Sequence, residues 1–332
     1  MLHEYASCDE NWDEVESMGQ KVLFFGDVGI DDTIALLFAY LSEGVEVIGI
    51  VACYGNVSKK QTTRNVRYLL KEVGRTDVPV MGGAEKPMTG EVPTYYPNVH
   101  GPEGLGPITP PPSEADPLEN FFDVIPLIEK YGEDLVIVNV GRMTSLATLF
   151  LLYPDTMKMI KSFYIMGGAF NVPGNVTPSA EANFYADPVA ANIVMKYAAN
   201  VFLFPLNVTQ QAIVTPGMVK YIEAKSKPPF LKPLLDYYYE EFYQKMVPDI
   251  EGSPVHDALT LMSVENNSIC TFYRTPVAVE ITGEARGLSI GDFRKSFEQA
   301  EFDKRPAHHV AIELNYFMFY KLFMETMTGE PF

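Results

Sequence analysis

Cysteine is scarce in this 332-residue chain. Cys8, Cys53 and Cys270 make an odd number with no Cys-x-x-Cys pair. A disulfide framework and a zinc knuckle are therefore excluded, and a reduced, cytoplasmic chain is expected. Basic charge is also short, with 25 Lys and Arg against 43 Asp and Glu and a formal net charge of −18. No nucleic-acid partner is expected, because binding phosphates needs a basic surface. The acid surplus serves mostly solubility, but it also suits a divalent cation. Long apolar runs are missing too. The greasiest stretch, Thr33 to Leu41, is far too short to span a bilayer, so no membrane partner is expected. The first residues carry Glu4, Asp9, Glu10, Asp13, Glu14 and Glu16 before Lys21, the opposite of the basic start of a signal peptide. Residues 1–19 read as a flexible acidic extension.

What is present is globular, with 47% apolar and 20% charged residues. Length alone leaves one or two domains open. From Lys21 onward, short β-rich runs alternate with segments of helical period. Strands are expected at Val22–Phe25, Val45–Val51, Val78–Met81, Leu135–Val140, Phe163–Met166 and Val201–Phe204. Helices are expected at Asp31–Ser42, Ser58–Val73, Pro117–Tyr131, Met143–Leu152 and Asp187–Ala198. Past Pro216 the chain reads as helical through Met246, a further helix starts near His256, and Val277–Ile281 and Val310–Leu314 are late strands. Repeated βα units predict one large α/β domain over residues 20–332, an open, mostly parallel sheet with helices on both faces and a Rossmann-like core. Sites in such folds form at the carboxyl ends of the strands. Two long loops, Gly82–Asp116 and Gly167–Ala180, interrupt the rhythm and are candidates for function.

The sharpest local signal is Gly26-Asp27-Val28-Gly29-Ile30-Asp31-Asp32, which follows a strand and opens a helix. Three carboxylates converge there, and like charges so close repel unless something neutralises them. A hard cation with oxygen ligands, Ca²⁺ or Mg²⁺, is the natural answer. The plainer reading is a helix cap, but a cap needs one carboxylate and leaves Asp27 unexplained. Val255-His256-Asp257 adds an imidazole, whose ordinary pKa is near neutrality, and a fourth carboxylate at another helix start. Alone that pair reads as a cap; beside the first cluster it offers a ligand and a proton donor. Met166-Gly167-Gly168, Asn175 and Glu181-Ala182-Asn183 combine glycines after a strand with amides and a carboxylate, which suit sugar hydroxyls or an ordinary loop equally well.

Taken together these residues resemble the nucleoside hydrolases of the inosine–uridine-preferring type. That family opens with Asp-x-Asp-Pro-Gly-x-Asp-Asp, a slot held here by Phe25 to Asp32. Gly55-Asn56, Thr62-Thr63-Arg64-Asn65, His100-Gly101, Gly104-Leu105-Gly106, Gly141-x-x-Thr144, Met166-Gly167-Gly168, Gly174-Asn175, Glu181-x-Asn183, Asp187-Pro188 and Val255-His256-Asp257 follow in the family's order. The resemblance implies that Asp27, Asp32, Asp257 and the carbonyl of Val140 hold Ca²⁺ and that Asp27 takes a proton from a water. It implies that Asp31 and Asn183 bind ribose hydroxyls, with Met166, Asn175 and Glu181 on the ribose side and Asn56 steadying the metal's water shell. His256 would help the base depart, and Tyr239 and Tyr243 lie on the helix that faces the base. The implied substrate is a ribonucleoside, cleaved to base and ribose, and the implied assembly is a homotetramer or homodimer.

The chain departs from the pattern at Phe25, Val28, Ala182 and Asn207, which replace an aspartate, a proline, an aromatic residue and an aspartate. Two other readings compete. A haloacid dehalogenase-type phosphatase wants a second Asp two residues after the first, where this chain has Gly29. A nucleoside- or ribose-binding protein without catalysis draws support from Phe25 alone.

Overall fold

The computed structural model describes residues 19–112, 118–225, 230–294 and 304–332. Most of the acidic extension, residues 1–18, lies outside the described residues, as do Pro117 and the end of the first long loop.

The strands, in chain order, are β1 (Gln20–Gly26), β2 (Val45–Ala52), β3 (Val80–Gly82), β4 (Leu135–Asn139), β5 (Ser162–Met166), β6 (Val201–Phe204), β7 (Ile213–Val214), β8 (Ser253–Pro254), β9 (Cys270–Val279), β10 (Ser289–Gly291) and β11 (Ala307–Leu314). Nine of them form one sheet in the order β10-β9-β11-β6-β5-β4-β1-β2-β3, and β7 pairs with β8 separately. From β3 to β11 every neighbouring pair is parallel; β9 runs antiparallel to β11 and β10 antiparallel to β9. This is the expected open α/β sheet in a single large domain.

β1 shows why the sheet sits at the centre. Successive side chains point to opposite faces. Val22 and Phe24 enter one core cluster, while Leu23 and Phe25 enter the other. A strand buried on both faces reads as a continuous apolar run, and β1, β2, β4 and β5 all do. The first cluster includes helix Ile30–Leu41, whose residues Ile30 to Ala39 are all buried. It packs against helix His256–Glu265, which is buried from His256 to Ser263. The greasy run at Thr33–Leu41 is thus a helix wrapped in core rather than an amphipathic one. No helix among the described residues is long and apolar enough to cross a membrane.

The sequence placed most elements within a residue or two. The exceptions have local causes. The Pro117–Tyr131 segment is helical only from Phe121, as a 3₁₀ turn that leads into helix Val124–Tyr131. β9 begins at Cys270, well before the expected Val277, because its first half alternates exposed Thr271 and Arg274 with apolar neighbours instead of forming an apolar run. The short β10 and the C-terminal helix Tyr316–Thr328 escaped the reading altogether. The expected helix up to Met246 contains a π-helical stretch, Tyr238–Tyr243, with consequences for the site.

Candidate active site

The strand order steps outward in both directions from β1 and β4, so a crevice opens beyond their carboxyl ends. The chemistry-bearing residues gather there. Asp27 follows β1, and Val140, Gly141 and Arg142 follow β4. Asp31 and Asp32 sit in the first turn of helix Ile30–Leu41, and His256 and Asp257 open the helix packed against it.

Asp31, Asp32 and Asp257 are buried and bring carboxylate oxygens within 4.8 Å of one another. Asp32 is the best satisfied. Its Oδ1 accepts the Asp27 N–H (3.1 Å), and its Oδ2 accepts the N–H of Gly29 (2.9 Å) and the amide of Asn56 (3.2 Å). The Asp31 and Asp257 carboxyls stand within that same 4.8 Å of each other, a closeness that a proton or a cation between them relieves. Asp31 Oδ1 has no partner. Burial, and then repulsion from the other acids, pushes Asp32 and Asp257 well above the ordinary carboxylate range and raises Asp31 to about 6. A buried group of acids that raise one another in this way fits a hard divalent cation.

Asp27 has a different environment. It is fully buried, and its Oδ2 accepts the backbone N–H of Asn56 and a 2.6 Å bond from Arg142 Nη1. Its Oδ1 has no partner. Glycine is required at two neighbours. A Cβ on Gly55 would collide with Asp27 Oδ2, and one on Gly141 would lie 2.6 Å from Oδ1. Asp27 is not one of the three clustered carboxylates, so the structure draws only Asp32 and Asp257 of its expected ligand set together and adds Asp31. The Val140 carbonyl, the fourth expected ligand, accepts the Asn183 amide at 2.7 Å.

Asn183 ties the ends of β4 and β5. Its amide also reaches the Met166 carbonyl at 3.2 Å, and its oxygen accepts from Arg142 at 3.0 Å. Glu181 caps the short helix Ala182–Ala186: Oε1 accepts from Asn183 N–H, and Oε2 from the N–H groups of Gly168 and Phe184. The Gly168 bond uses a left-handed backbone, φ +84°, that favours glycine. Asn175, exposed, accepts the Ala182 N–H at 3.0 Å. Much of the capacity of Asn183, Glu181 and Asn175 therefore goes into building the loop.

His256 is 7% exposed. Its Nδ1 lies 2.8 Å from Thr209 Oγ1 and its Nε2 3.0 Å from Tyr243 Oη, so both ring nitrogens are engaged. Burial lowers its pKa to about 4, which corrects the expectation of an imidazole titrating near neutrality: at pH 7 it is neutral. The π-helical turn explains which tyrosines reach it. Hydrogen bonds from i to i+5 bring residues five apart onto one face. Tyr238 and Tyr243 accordingly meet edge to face at 4.9 Å, with their hydroxyls 3.4 Å apart. Tyr239, one of the two expected to face the base, turns away to the Ile250 carbonyl. Tyr238 instead lies against Tyr243, fully buried and within the electrostatic reach of Asp31.

Two further residues belong to the site. His100 was noted only within a motif. Its Nδ1 accepts the Ile30 N–H at 3.2 Å and lies 3.9 Å from Asp31, and burial lowers its pKa to about 3, so it faces Asp31 as a neutral ring. Arg142 had no signal: one arginine two residues past a strand reads as a spacer. It is 2% exposed and pairs with Asp27. Phe25, the departure from the family pattern, points away from the site into the second core cluster, and only its carbonyl, bonded to Val140 N–H at 2.9 Å, bears on the crevice.

Comparison with known proteins agrees with this geometry. The family described as inosine-uridine preferring nucleoside hydrolase matches residues 22–321. A probable uridine nucleosidase 2 of Arabidopsis thaliana is 34% identical, covering 93% of this chain and 97% of its own. The inosine-uridine preferring nucleoside hydrolase of Crithidia fasciculata is 28% identical over 95% of this chain and all of its own. Among solved structures, a plant nucleoside hydrolase superposes with a TM-score of 0.87 at 29% identity, covering 94% of this chain and 99% of its own. A purine-preferring ribonucleoside hydrolase from Gardnerella vaginalis gives 0.84 at 29% identity, over 93% and 98%. These matches leave no place for the phosphatase reading and favour an enzyme over a binding protein without catalysis. With its acidic crevice and its match along almost the whole length, the chain belongs to the inosine–uridine-preferring nucleoside hydrolase family, enzymes that hydrolyse the N-glycosidic bond of nucleosides.

Proposed function

We propose that this enzyme cleaves ribonucleosides to base and ribose in a Ca²⁺-dependent reaction, with Asp27 as the base. The observation that carries this is the buried trio Asp31, Asp32 and Asp257 beside Asp27. Asp32 and Asp257, with Asp27 and the Val140 carbonyl, are the residues that would hold Ca²⁺. The cation, when bound, lowers the pKa of a water and offsets the crowded carboxylate charge. Asp27 Oδ1, unpaired and held between Gly55 and Gly141, accepts the proton of the attacking water. The water oxygen bonds to the anomeric carbon as the carbon–nitrogen bond breaks, and the bonding electrons leave with the base. Asp31 and Asn183 bind ribose hydroxyls, Met166 walls the ribose, Asn175 and Glu181 bound its 5′ end, and Asn56 would steady the water shell of the cation. His256, neutral and bonded to Tyr243, assists departure by hydrogen bonding to the base or by relaying a proton to it. A cytoplasmic, homodimeric or homotetrameric enzyme completes the reading.

The test is direct. Incubation with uridine and with inosine should release free ribose from at least one, and the release should stop with a chelator and resume with Ca²⁺. Absence of ribose from every ribonucleoside tried would refute the reading.

A further inference from the structure

Arg142 sits where no part of the reading above needs a cation. Its guanidinium lies in the crevice beside three residues of the proposed site. Nη1 donates toward Asp27 Oδ2 (2.6 Å), Asn183 Oδ1 (3.0 Å) and Asn56 Oδ1 (3.4 Å). The half-buried Tyr96 ring lies 5.7 Å from its central carbon. Nη1 has two hydrogens for three oxygens, whereas Nε and Nη2, which carry the other three N–H bonds, have no partner. These atoms are buried, and unpaired buried N–H donors are costly. A purely structural arginine would spread its fork over its acceptors. This one is fixed by one corner and leaves its Nε–Nη2 edge without a hydrogen-bond partner; Oδ1 of Asp27, the residue it pairs with, also lacks one.

We propose that Arg142 binds the substrate, donating from Nε–H and Nη2–H to the hydroxyl oxygens of the ribose diol. This inference rests on the nucleoside reading of the site. The ligand chemistry follows from the surrounding charge. Asp31, Asp32, Asp257 and Glu181 all border the crevice, and Asp27 and Glu181 both act electrostatically on Arg142. One guanidinium does not offset that much negative charge, so an anion such as a phosphorylated ribose is repelled. A neutral polyol is not. The planar edge suits two adjacent oxygens, a geometry a lysine ammonium lacks. Arg142 also holds Asp27, Asn56 and Asn183 in register, so the same side chain orients the proposed base and the sugar it acts on.

The experiment compares wild type, Arg142→Met and Arg142→Lys on a hydrolysed ribonucleoside and on its 2′-deoxy and 3′-deoxy analogues, all with Ca²⁺ present. Arg142→Met should lower kcat/KM on the ribonucleoside by about 10- to 100-fold, the range for lost charged hydrogen bonds. The loss should shrink to a few-fold on at least one deoxy analogue, and Arg142→Lys should fall between. Equal losses on all three substrates would mean that Arg142 only supports Asp27, and no loss would mean it has no role; either overturns the proposal. Calorimetric binding of D-ribose provides a readout that needs no turnover. Arg142→Met, or Arg142→Lys if the first does not fold, should weaken it by about tenfold or more; unchanged ribose affinity would overturn the proposal. If wild type cleaves no nucleoside, the proposed function fails, but the ribose arm still decides the role of Arg142.

Discussion

The two walls of the crevice solve opposite electrostatic problems. On the wall built by the ends of β1, β4 and β5, Asp27 faces Arg142, and Asn56 and Asn183 close the network. On the wall built by the two helix starts, Asp31, Asp32 and Asp257 face one another, and among the described residues no Lys or Arg ion pair reaches them, only the neutral His100 ring 3.9 Å from Asp31. Burial raises the pKa of Asp27 while Arg142 opposes the rise; for Asp32 and Asp257, burial and neighbouring acids push the same way. One wall carries its own counter-charge and the other needs one from outside. A single carboxylate at the boundary is thereby paired and oriented beside a cluster poised for a cation.

The largest expected effect comes from removing that boundary residue. Asp27→Ala should lower kcat by about 10²–10⁴-fold or more, since it deletes the base and one proposed cation ligand. It should also destabilise the fold by about 3–5 kcal/mol, because Arg142 is left buried without its partner. Urea unfolding and steady-state kinetics read the two losses separately. A variant with wild-type turnover would break the contrast between the walls.

His256→Ala acts on the acidic wall. It should slow natural nucleosides by about 10²–10⁴-fold but a nitrophenyl riboside by less than about tenfold, because a good leaving group needs no donor. Equal slowing of both would show that His256 only supports Asp257 next to it.

Phe25→Ala probes the floor beneath both walls. Phe25 is fully buried in the second core cluster, so the change should cost about 3–5 kcal/mol of stability, read by urea unfolding, with little effect on KM. A large KM change without lost stability would place Phe25 in the site instead. The smallest effect belongs to a chain that starts at Gln20. The run from Asp9 to Glu16 has no periodicity, and its removal should leave folding and turnover unchanged.

The two walls also differed in how far the sequence revealed them. The acidic wall was legible: the spacing of Asp27, Asp31 and Asp32 after an apolar run, and a His-Asp pair at a helix start, place carboxylates at strand and helix ends by local rules. Asn183, Glu181 and Met166 stood out only through the family resemblance, since their pattern suits an ordinary loop equally well. The neutralised wall was half hidden. Arg142 forms its ion pair across β1 and β4, residues far apart in sequence, and no local pattern encodes that meeting. Tyr243, named from the sequence, does meet His256, but its aromatic neighbour there was not legible. The resemblance implied Tyr239 and Tyr243, but the π-helical turn sets Tyr238 beside Tyr243 and turns Tyr239 to the Ile250 carbonyl. The sheet order was anticipated only as mostly parallel; the antiparallel edge of β9 and β10 carries no strong apolar signal.

The central claim, that the acidic wall needs an external cation while the other does not, is tested most directly by calorimetric titration of Ca²⁺ into chelator-stripped protein. The account predicts about one Ca²⁺ bound per chain, with a rise in unfolding stability of about 2.7 kcal/mol at a hundredfold excess over Kd. It also predicts loss of that binding in Asp257→Asn and its retention in Phe25→Ala. Absence of binding in wild type, together with turnover that survives the chelator, would contradict it.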